Sequence, residues 1–427
     1  MKSNPRPTKK AVCFYFQVHQ PKRLSNLSYF DINAEKDIYS KDNQEILKKV
    51  ADKCYYPTNK LILSLIKKYP EFKCSYSLSG TFIDQAEEYD PRLIHSFQNL
   101  AKTKNVEILS ETYYHSLSFI YSKEEFIEQV LKHRAKIWEL FKQKPQVFRN
   151  TELIYNNKIA EFARQLGFIG ILAEGWDKYL HWRSPNFLYT APEEKLPYTY
   201  KDLLIKKRFN NKIVPKIGLL LKNYKLSDDI AFRFGNKGWA GYPLTAEKFA
   251  DWVSLLNGET INLFMDYETF GEHQWEDTGI FKFLRKLPEE LLNRGITFKT
   301  PSETINTLDI KDKVSMPNLV SWADLERDLS AWTQNRMQQE SLKKVYELKR
   351  YIKLITKKAK NKEKLNNILD TWRTLQTSDH FYYMSTKYWA DGDVHAYFSH
   401  YESPYDAYIN YMNVLNNFKN KLLIYKD

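Results

Sequence analysis

The chain has 427 residues and a mass of 50.9 kDa, which exceeds one typical domain, and 43% of its residues are hydrophobic. Its formal net charge is +13, yet no recognised nucleic-acid-binding module accompanies the charge, and no apolar run reaches the length of a membrane span. Three cysteines are too few for a disulfide framework and lack metal-ligand spacing. We therefore expect a cytoplasmic protein without nucleic-acid or membrane partners.

Short apolar runs alternate with longer segments of helical period along the first 300 residues. Near-continuous apolar strands separated by helices predict a parallel sheet that is buried on both faces. The predicted strands are Val12–Val18, Phe72–Leu78, Val106–Leu109, Gln146–Arg149, Phe168–Leu172, Ile217–Leu221 and Ile261–Met265. The predicted helices between them are Asn43–Tyr69, Lys123–Lys142, Asn156–Leu166 and Thr245–Leu256.

Seven such units predict an α/β fold, a closed or incomplete (β/α)7 barrel of the TIM type. An open doubly wound sheet is the alternative. No G-x-G-x-x-G sequence or P-loop follows any strand, so the nucleotide-binding motif that usually supports that fold is missing. Beyond Phe298 helical patterns dominate. We predict a barrel domain over residues 10–305 and a helical C-terminal domain over residues 306–427 that completes the ligand cleft.

Polar side chains follow nearly every predicted strand. In a parallel α/β barrel the loops after the strands share one rim, so residues at these positions are expected to meet. They are His19 and Gln20 after the first strand, then Glu111 and His115, Asn150 and Glu152, Glu174 and Trp176, Asp228 and Asp229, and finally Asp266, Glu268 and His273.

Two of these acids are candidates for catalysis. Glu152 precedes an amphipathic helix, whose dipole it could simply stabilise. Asp266 ends the most apolar strand, where it could merely cap a turn. Two carboxylates that converge on a rim rich in Tyr, Trp and His would instead suit glycosidic cleavage, with one as acid and base and the other as nucleophile.

These residues carry a resemblance to glycoside hydrolase family 57, which spans nearly the whole chain. Five short regions of that family occur here in order, and segments such as Ser227–Phe234 and Leu375–Met384 resemble its α-amylase branch. The five regions are His19–Pro21; Val106–Leu109 with Tyr113–His115; Thr151–Tyr155; Met265–Gly271; and Leu325–Gln338 with Trp332, Asn335 and Gln338.

The resemblance implies a fold, an activity and roles for the two acids. Glu152 would be the nucleophile and Asp266 the acid/base of a retaining enzyme that cleaves α-1,4-glucosidic bonds in starch- or glycogen-type α-glucans. No metal or organic cofactor is implied. A 4-α-glucanotransferase, a branching enzyme and a non-catalytic glucan-binding protein are the alternatives within the same resemblance.

Further residues are expected to bind sugar. Histidines would hydrogen-bond to hydroxyl groups or orient the acids, and tryptophan rings are flat apolar platforms that suit the C–H faces of sugars. The predicted substrate-binding residues are His19, Gln20, His115, Arg149, Trp176, Asp229, Trp239, Glu268, His273, Trp332 and Asp379, and Trp275 is a further candidate platform.

A metal-dependent carbohydrate deacetylase is the rival with the closest chemistry, because it can share a barrel of seven units. Such an enzyme needs an Asp and two His at ligand spacing such as H-x-x-x-H. No pair of the nine His residues has that spacing.

Overall fold

The structure is a computed structural model that describes residues 10–34, 36–195, 215–358, 361–389 and 399–424. Its strands are short, and most run parallel to their neighbours. They are β1 (Ala11–Val18), β2 (Cys74–Leu78), β3 (Val106–Ile108), β4 (Val147–Phe148), β5 (Gly170–Glu174), β6 (Tyr189–Thr190), β7 (Gly218–Lys222), β8 (Thr260–Asp266), β9 (Thr297–Phe298) and β10 (Asp312–Lys313).

Seven of these strands form a ring in the order β1-β2-β3-β4-β5-β7-β8, and β8 returns to pair with β1. A bridge between Ser110 and Phe148 joins β3 to β4. At the other junction, Asn223 N donates to Asn262 O at 2.9 Å just past the end of β7. The predicted (β/α)7 barrel is therefore confirmed, and all seven predicted strands are present with ends shifted by a few residues.

Both faces of the ring are buried, which explains the near-continuous apolar strands. In β1 the side chains of Cys13 and Tyr15 point to the barrel interior, and those of Phe14 and Phe16 pack under the surrounding helices. The interior is filled by the inward residues Cys13, Tyr15, Leu109, Val147, Leu153, Leu172, Leu188, Leu220, Phe264 and Leu308. The barrel is a packed core, so its chemistry must lie at its rim.

Helices surround the ring and follow the strands. They are α1 (Asp42–Val50), α2 (Tyr56–Lys68), α3 (Gly80–Tyr89), α4 (Pro91–Ala101), α5 (Ser118–Tyr121), α6 (Lys123–Phe141), α7 (Asn157–Gln165), α8 (Asp177–Leu180), α9 (Tyr224–Ala231), α10 (Ala246–Leu255), α11 (Ile280–Asn293) and α12 (Pro301–Thr307). The single helix predicted over Asn43–Tyr69 is in fact α1 and α2 joined by a π-helical turn, Ala51–Tyr55. That turn carries Tyr55, which reaches the rim.

The described part of the chain after β10 is mainly helical, as predicted. It comprises α13 (Ser330–Thr333), α14 (Arg336–Glu347), α15 (Lys349–Lys358), α16 (Lys362–Thr374), α17 (Ser378–Tyr382) and α18 (Pro404–Ile424). These helices share a hydrophobic core with α6, α7 and the outer faces of β4, β5 and β7. The domain boundary near residue 305 stays a prediction. Among the described helices, none combines the length and the apolar character that a bilayer crossing requires.

Candidate active site

Glu152 and Asp266 both lie at the C-terminal edge of the strand ring. Glu152 follows β4 in a short 3-10 turn and has the left-handed backbone angles φ 56° and ψ 28°. Asp266 is the last residue of β8. A non-glycine residue in the left-handed region is uncommon and is held there by its surroundings, so the position of Glu152 is fixed by specific contacts.

Three donors contact the carboxylate of Glu152. His115 Nε2 lies 3.1 Å and Ser378 Oγ 3.3 Å from Oε1, and Trp322 Nε1 donates to Oε2 at 2.8 Å. Burial favours the neutral acid, but the hydrogen bond and charge of His115 outweigh it, and the charge of Arg149 adds to them. The pKa of Glu152 therefore lies below its ordinary value, and the group is ionised.

His115 bridges two carboxylates. Its Nδ1 lies 2.8 Å from Glu111 Oε2, and its Nε2 faces Glu152. Burial opposes the charge of the imidazole, but the two carboxylates raise its pKa to about 9. Glu111 is fully buried and accepts a second hydrogen bond from Gln17 Nε2 at 3.0 Å. Its pKa is lowered to about 2, because the hydrogen bond and charge of His115 and the charges of His133 and Arg149 outweigh the effect of burial. His115 is thus an imidazolium that donates to both acids.

Asp266 has the opposite electrostatic character. Burial raises its pKa, the nearby charge of Glu152 raises it further, and the cations Arg149, His115 and Lys222 oppose this only in part, which leaves the pKa at about 6. Below that pH the Asp266 carboxyl carries a proton. The two acids therefore hold different protonation states over the same pH range.

Arg149 is fully buried, and its charge lowers the pKa of both acids. Its guanidinium carbon lies 4.7 Å from the ring centre of Trp322 and 6.0 Å from that of Tyr15. Among the described residues none provides a hydrogen bond to its three guanidinium nitrogens. Arg149 therefore acts on the acids as a fixed charge held by aromatic faces.

His19 and Glu268 form a second group beside the acids. His19 Nδ1 lies 2.7 Å from Ser79 Oγ and its Nε2 lies 2.9 Å from Asp379 Oδ2. The His19 ring stacks on the His115 ring with centres 4.0 Å apart. Glu268 accepts from the backbone N–H of His19 and from the hydroxyl of Tyr55. Burial and the charge of Asp266 raise the pKa of Glu268 to about 8.

Two other predicted residues, Gln20 and His273, border this cluster, whereas no described contact joins Trp176 to it. Gln20 Nε2 donates to the Tyr55 hydroxyl at 3.2 Å. His273 follows β8, and burial lowers its pKa to about 4, so it is neutral at physiological pH. Trp176 comes two residues after β5, is half-buried, and makes an edge contact with Tyr179.

Three predicted substrate-binding residues have their described contacts elsewhere. Asp229 of α9 pairs at 2.7 Å with Arg233, which lies two residues past the end of that helix. The ring of Trp239 makes an edge contact with Trp252 of α10. Trp332 is buried in the helical core and faces Tyr382. Their contacts do not join them to the acids, and their substrate roles stay predictions.

Two residues that touch Glu152, Trp322 and Ser378, were not predicted from the sequence. Glu111 was a rim residue without a predicted role, and Lys222, whose ammonium pairs with Asp228 at 3.0 Å, was not predicted. Lys222 could have been found from the sequence, because it is a lysine at the end of the apolar strand β7. Nothing local signalled Trp322, which lies 170 residues from Glu152 along the chain. Ser378 lies 226 residues away, but it belongs to the segment Leu375–Met384 and directly precedes the predicted residue Asp379.

A glycosidase uses one ionised carboxylate and one protonated carboxyl group, and here both lie at the rim of a parallel barrel. Within the described ranges, no three His, Cys, Asp or Glu side chains converge as metal ligands would. The sequence model of glycosyl hydrolase family 57 matches residues 13–317. The chain belongs to this family of glycosidases.

Individual relatives agree with the family assignment. A protein of Methanocaldococcus jannaschii named "Putative alpha-amylase" is 44% identical over 414 residues, which cover 96% of this chain and 84% of the relative. The branching enzyme of Pyrococcus horikoshii has a TM-score of 0.66 at 14% identity, and the match covers 88% of this chain and 86% of the branching-enzyme chain. The 4-alpha-glucanotransferase of Thermococcus litoralis has a TM-score of 0.55 at 15% identity over 91% of this chain, which spans only 54% of that enzyme. At these identities the two structures support the fold alone.

Proposed function

We propose that the protein hydrolyses α-1,4-glucosidic bonds of starch- or glycogen-type α-glucans with retention of configuration. The observation that carries the proposal is the pair of acids with opposite protonation preferences, Glu152 ionised and Asp266 with a pKa of about 6. The name of the Methanocaldococcus jannaschii relative supports α-glucan as the substrate.

The mechanism assigns a separate role to each acid. Asp266 donates its proton to the glycosidic oxygen as the bond to the anomeric carbon breaks, and Glu152 attacks that carbon to form a covalent glycosyl-enzyme. Asp266, now ionised, removes a proton from water as the water attacks the same carbon. Glu152 leaves as a carboxylate and Asp266 is protonated again, so both acids return to their starting states.

The neighbouring groups suit the recognition of sugar hydroxyls. His19, Asp379 and Glu268 lie beside the acids and offer donors and acceptors for hydrogen bonds. The half-buried ring of Trp176 follows β5 at the same rim and would stack on a glucose unit. We expect these residues to line the cleft, with Asp229, Trp239 and Trp332 at greater distance from the cleaved bond.

The products formed from maltoheptaose and from amylose test this proposal. We expect only shorter glucans, because water is the acceptor in the second step, and we expect the Glu152→Ala variant to form none. Longer products would show glucan transfer, and new α-1,6 links would show branching. Binding of glucan by the wild-type protein without any turnover would identify a non-catalytic glucan-binding protein and contradict the proposal.

A further inference from the structure

Trp322 contacts Glu152 twice. Its indole Nε1–H donates to Glu152 Oε2 at 2.8 Å, and its backbone N–H donates to the Glu152 carbonyl oxygen at 3.2 Å. One contact fixes the carboxylate and the other fixes the left-handed backbone that presents it. Among the residues that the structure describes, Trp322 alone contacts both the carboxylate and the backbone carbonyl of Glu152.

The segment that carries Trp322 is itself anchored on both sides. Before it, Val320 and Tyr155 exchange two backbone hydrogen bonds of 2.9 Å. After it, the buried ammonium of Lys387 pairs with Asp324 at 3.1 Å and with Glu326 at 2.8 Å. The backbone that carries the indole is therefore held in place on both sides of Trp322.

Two cations lie over the Trp322 ring. The Arg149 guanidinium carbon is 4.7 Å from the ring centre, and the Lys222 ammonium is 5.4 Å from it. Lys222 is fixed in turn by Asp228. Cations over an aromatic face attract its electron density, which makes the indole N–H a stronger donor.

The contacts also distinguish the two oxygens of the carboxylate. Oε1 faces two donors, His115 Nε2 and Ser378 Oγ, and Oε2 faces one, the indole of Trp322. A carboxylate oxygen has two lone pairs for hydrogen bonds. Oε2 therefore keeps one lone pair that no described donor uses.

We propose that Trp322 is a positioning residue for the nucleophile: its indole N–H holds the Glu152 carboxylate ionised and oriented so that Oε2 attacks the anomeric carbon. The inference rests on the proposed function, in which Glu152 is the nucleophile. It adds a residue from beyond the barrel strands to the machinery of the first chemical step.

Trp322→Phe tests the inference, because it removes the indole N–H and keeps both the backbone hydrogen bond and an aromatic face. We expect kcat/KM on maltoheptaose to fall by about 10-fold or more, as for a lost hydrogen bond to a charged group, mainly through kcat. The acid limb of the pH profile should move to higher pH, because the ionised form of Glu152 loses a donor. The alkaline limb, set by Asp266, should stay in place.

Two further variants make the test decisive. Trp138→Phe is the matched control, since Trp138 lies on α6 away from the acids and also has a lysine ammonium, that of Lys144, 5.3 Å from its ring centre. It should behave as the wild type. Should Trp322→Phe fold poorly in thermal melts, 3-benzothienylalanine at position 322 keeps the shape of the indole without its N–H and should give the same shift of the acid limb.

The outcomes separate this inference from the proposed function. If Glu152→Ala abolishes turnover but the folded position-322 variants keep the wild-type acid limb, the role of Trp322 is wrong and the proposed function stands. A loss of activity without movement of the acid limb would likewise mean a purely structural role. If Glu152→Ala retains full turnover, the proposed function itself fails.

Discussion

Glu152 and Asp266 differ in protonation because their immediate contacts differ. Glu152 faces three donors. The hydrogen bond and charge of one of them, the His115 imidazolium, act with the charge of Arg149 to overcome the effect of burial on the pKa of Glu152. For Asp266, burial and the charge of Glu152 act together and raise the pKa to about 6. The ionised acid thus helps to keep the other acid protonated, which is the division of work that a retaining glycosidase needs.

A pH profile of kcat/KM follows from these directions. The wild-type profile should have its acid limb below pH 4.5, where Glu152 takes up a proton, and its alkaline limb near pH 6, where Asp266 loses one. His115→Asn removes a cation that lowers both pKa values, so both limbs should move to higher pH. The rate should fall by about 10-fold or more through the lost hydrogen bond.

His95→Asn on α4 is the control for this prediction, because His95 is an exposed histidine of that helix. It should leave both limbs unchanged. An unchanged profile in His115→Asn would show that His115 does not set the charge of the two acids.

The sequence predicted the two acids and also placed His115 and Arg149 among the site residues, and these two cations lower the pKa values of both acids. Two further donors to Glu152 were not predicted. Glu152 and Asp266 could be found because each lies at or just after the end of an apolar strand, a pattern that is local. Trp322 and Ser378 reach Glu152 only through the packing of distant segments. No local pattern marks Trp322, and the signal for Ser378 was its place beside the predicted residue Asp379. Trp332 shows the opposite case. It lies in the region Leu325–Gln338 that resembles the family and was predicted to bind substrate, but its described contacts are those of a core residue.

At the scale of elements, burial on both faces explains why the strands were predictable and their ends were not. All eight residues of β1 are buried, so its apolar run is continuous in the sequence. β4 has only two residues, Val147 and Phe148, because the chain turns at once into the segment that carries Glu152. The predicted helix Asn43–Tyr69 is interrupted where Tyr55 is turned toward Glu268, a tertiary contact that helical periodicity does not show.

The connection between β8 and α11 requires a glycine at position 271. Gly271 has φ +111°, and an added Cβ would lie 2.1 Å from the Lys53 carbonyl oxygen, which is backbone and does not yield easily. We expect Gly271→Ala to lower the free energy of unfolding by about 3 kcal/mol or more, since steric overlap adds to backbone strain. Denaturant-induced unfolding measures this change.

Gly279→Ala is the matched control in the same connection. Gly279 also has a positive φ, +85°, but an added Cβ would meet nothing within 4 Å. It should cost only the backbone strain, about 1–2 kcal/mol. Equal losses in the two variants would show that contact with Lys53 does not constrain the connection.

At the scale of the whole molecule, the cluster around the acids draws on both the barrel and the helices that follow it. His19 after β1 contacts Asp379, and Glu152 after β4 contacts Ser378, both of α17. The segment between β10 and α13 supplies Trp322. We therefore expect the arrangement of the C-terminal helices to matter for chemistry as well as for stability.

The anomeric form of azide-rescued products tests whether Glu152 is the nucleophile and Asp266 the acid/base. Glu152→Ala vacates the β face of the sugar, so azide acting on an activated α-glucosyl substrate should give a β-glycosyl azide. Asp266→Ala still forms the glycosyl-enzyme from substrates with good leaving groups, which need little protonation. Azide should then displace Glu152 and give an α-glycosyl azide.

On starch, each substitution should reduce the rate by about 10²-fold or more, through loss of acid–base assistance in one case and of the covalent route in the other. Chromatography and NMR of the azide products distinguish the two anomers. The account predicts the β-azide from Glu152→Ala and the α-azide from Asp266→Ala. Exchanged anomers would reverse the two roles, and full activity of either variant on starch would contradict the account.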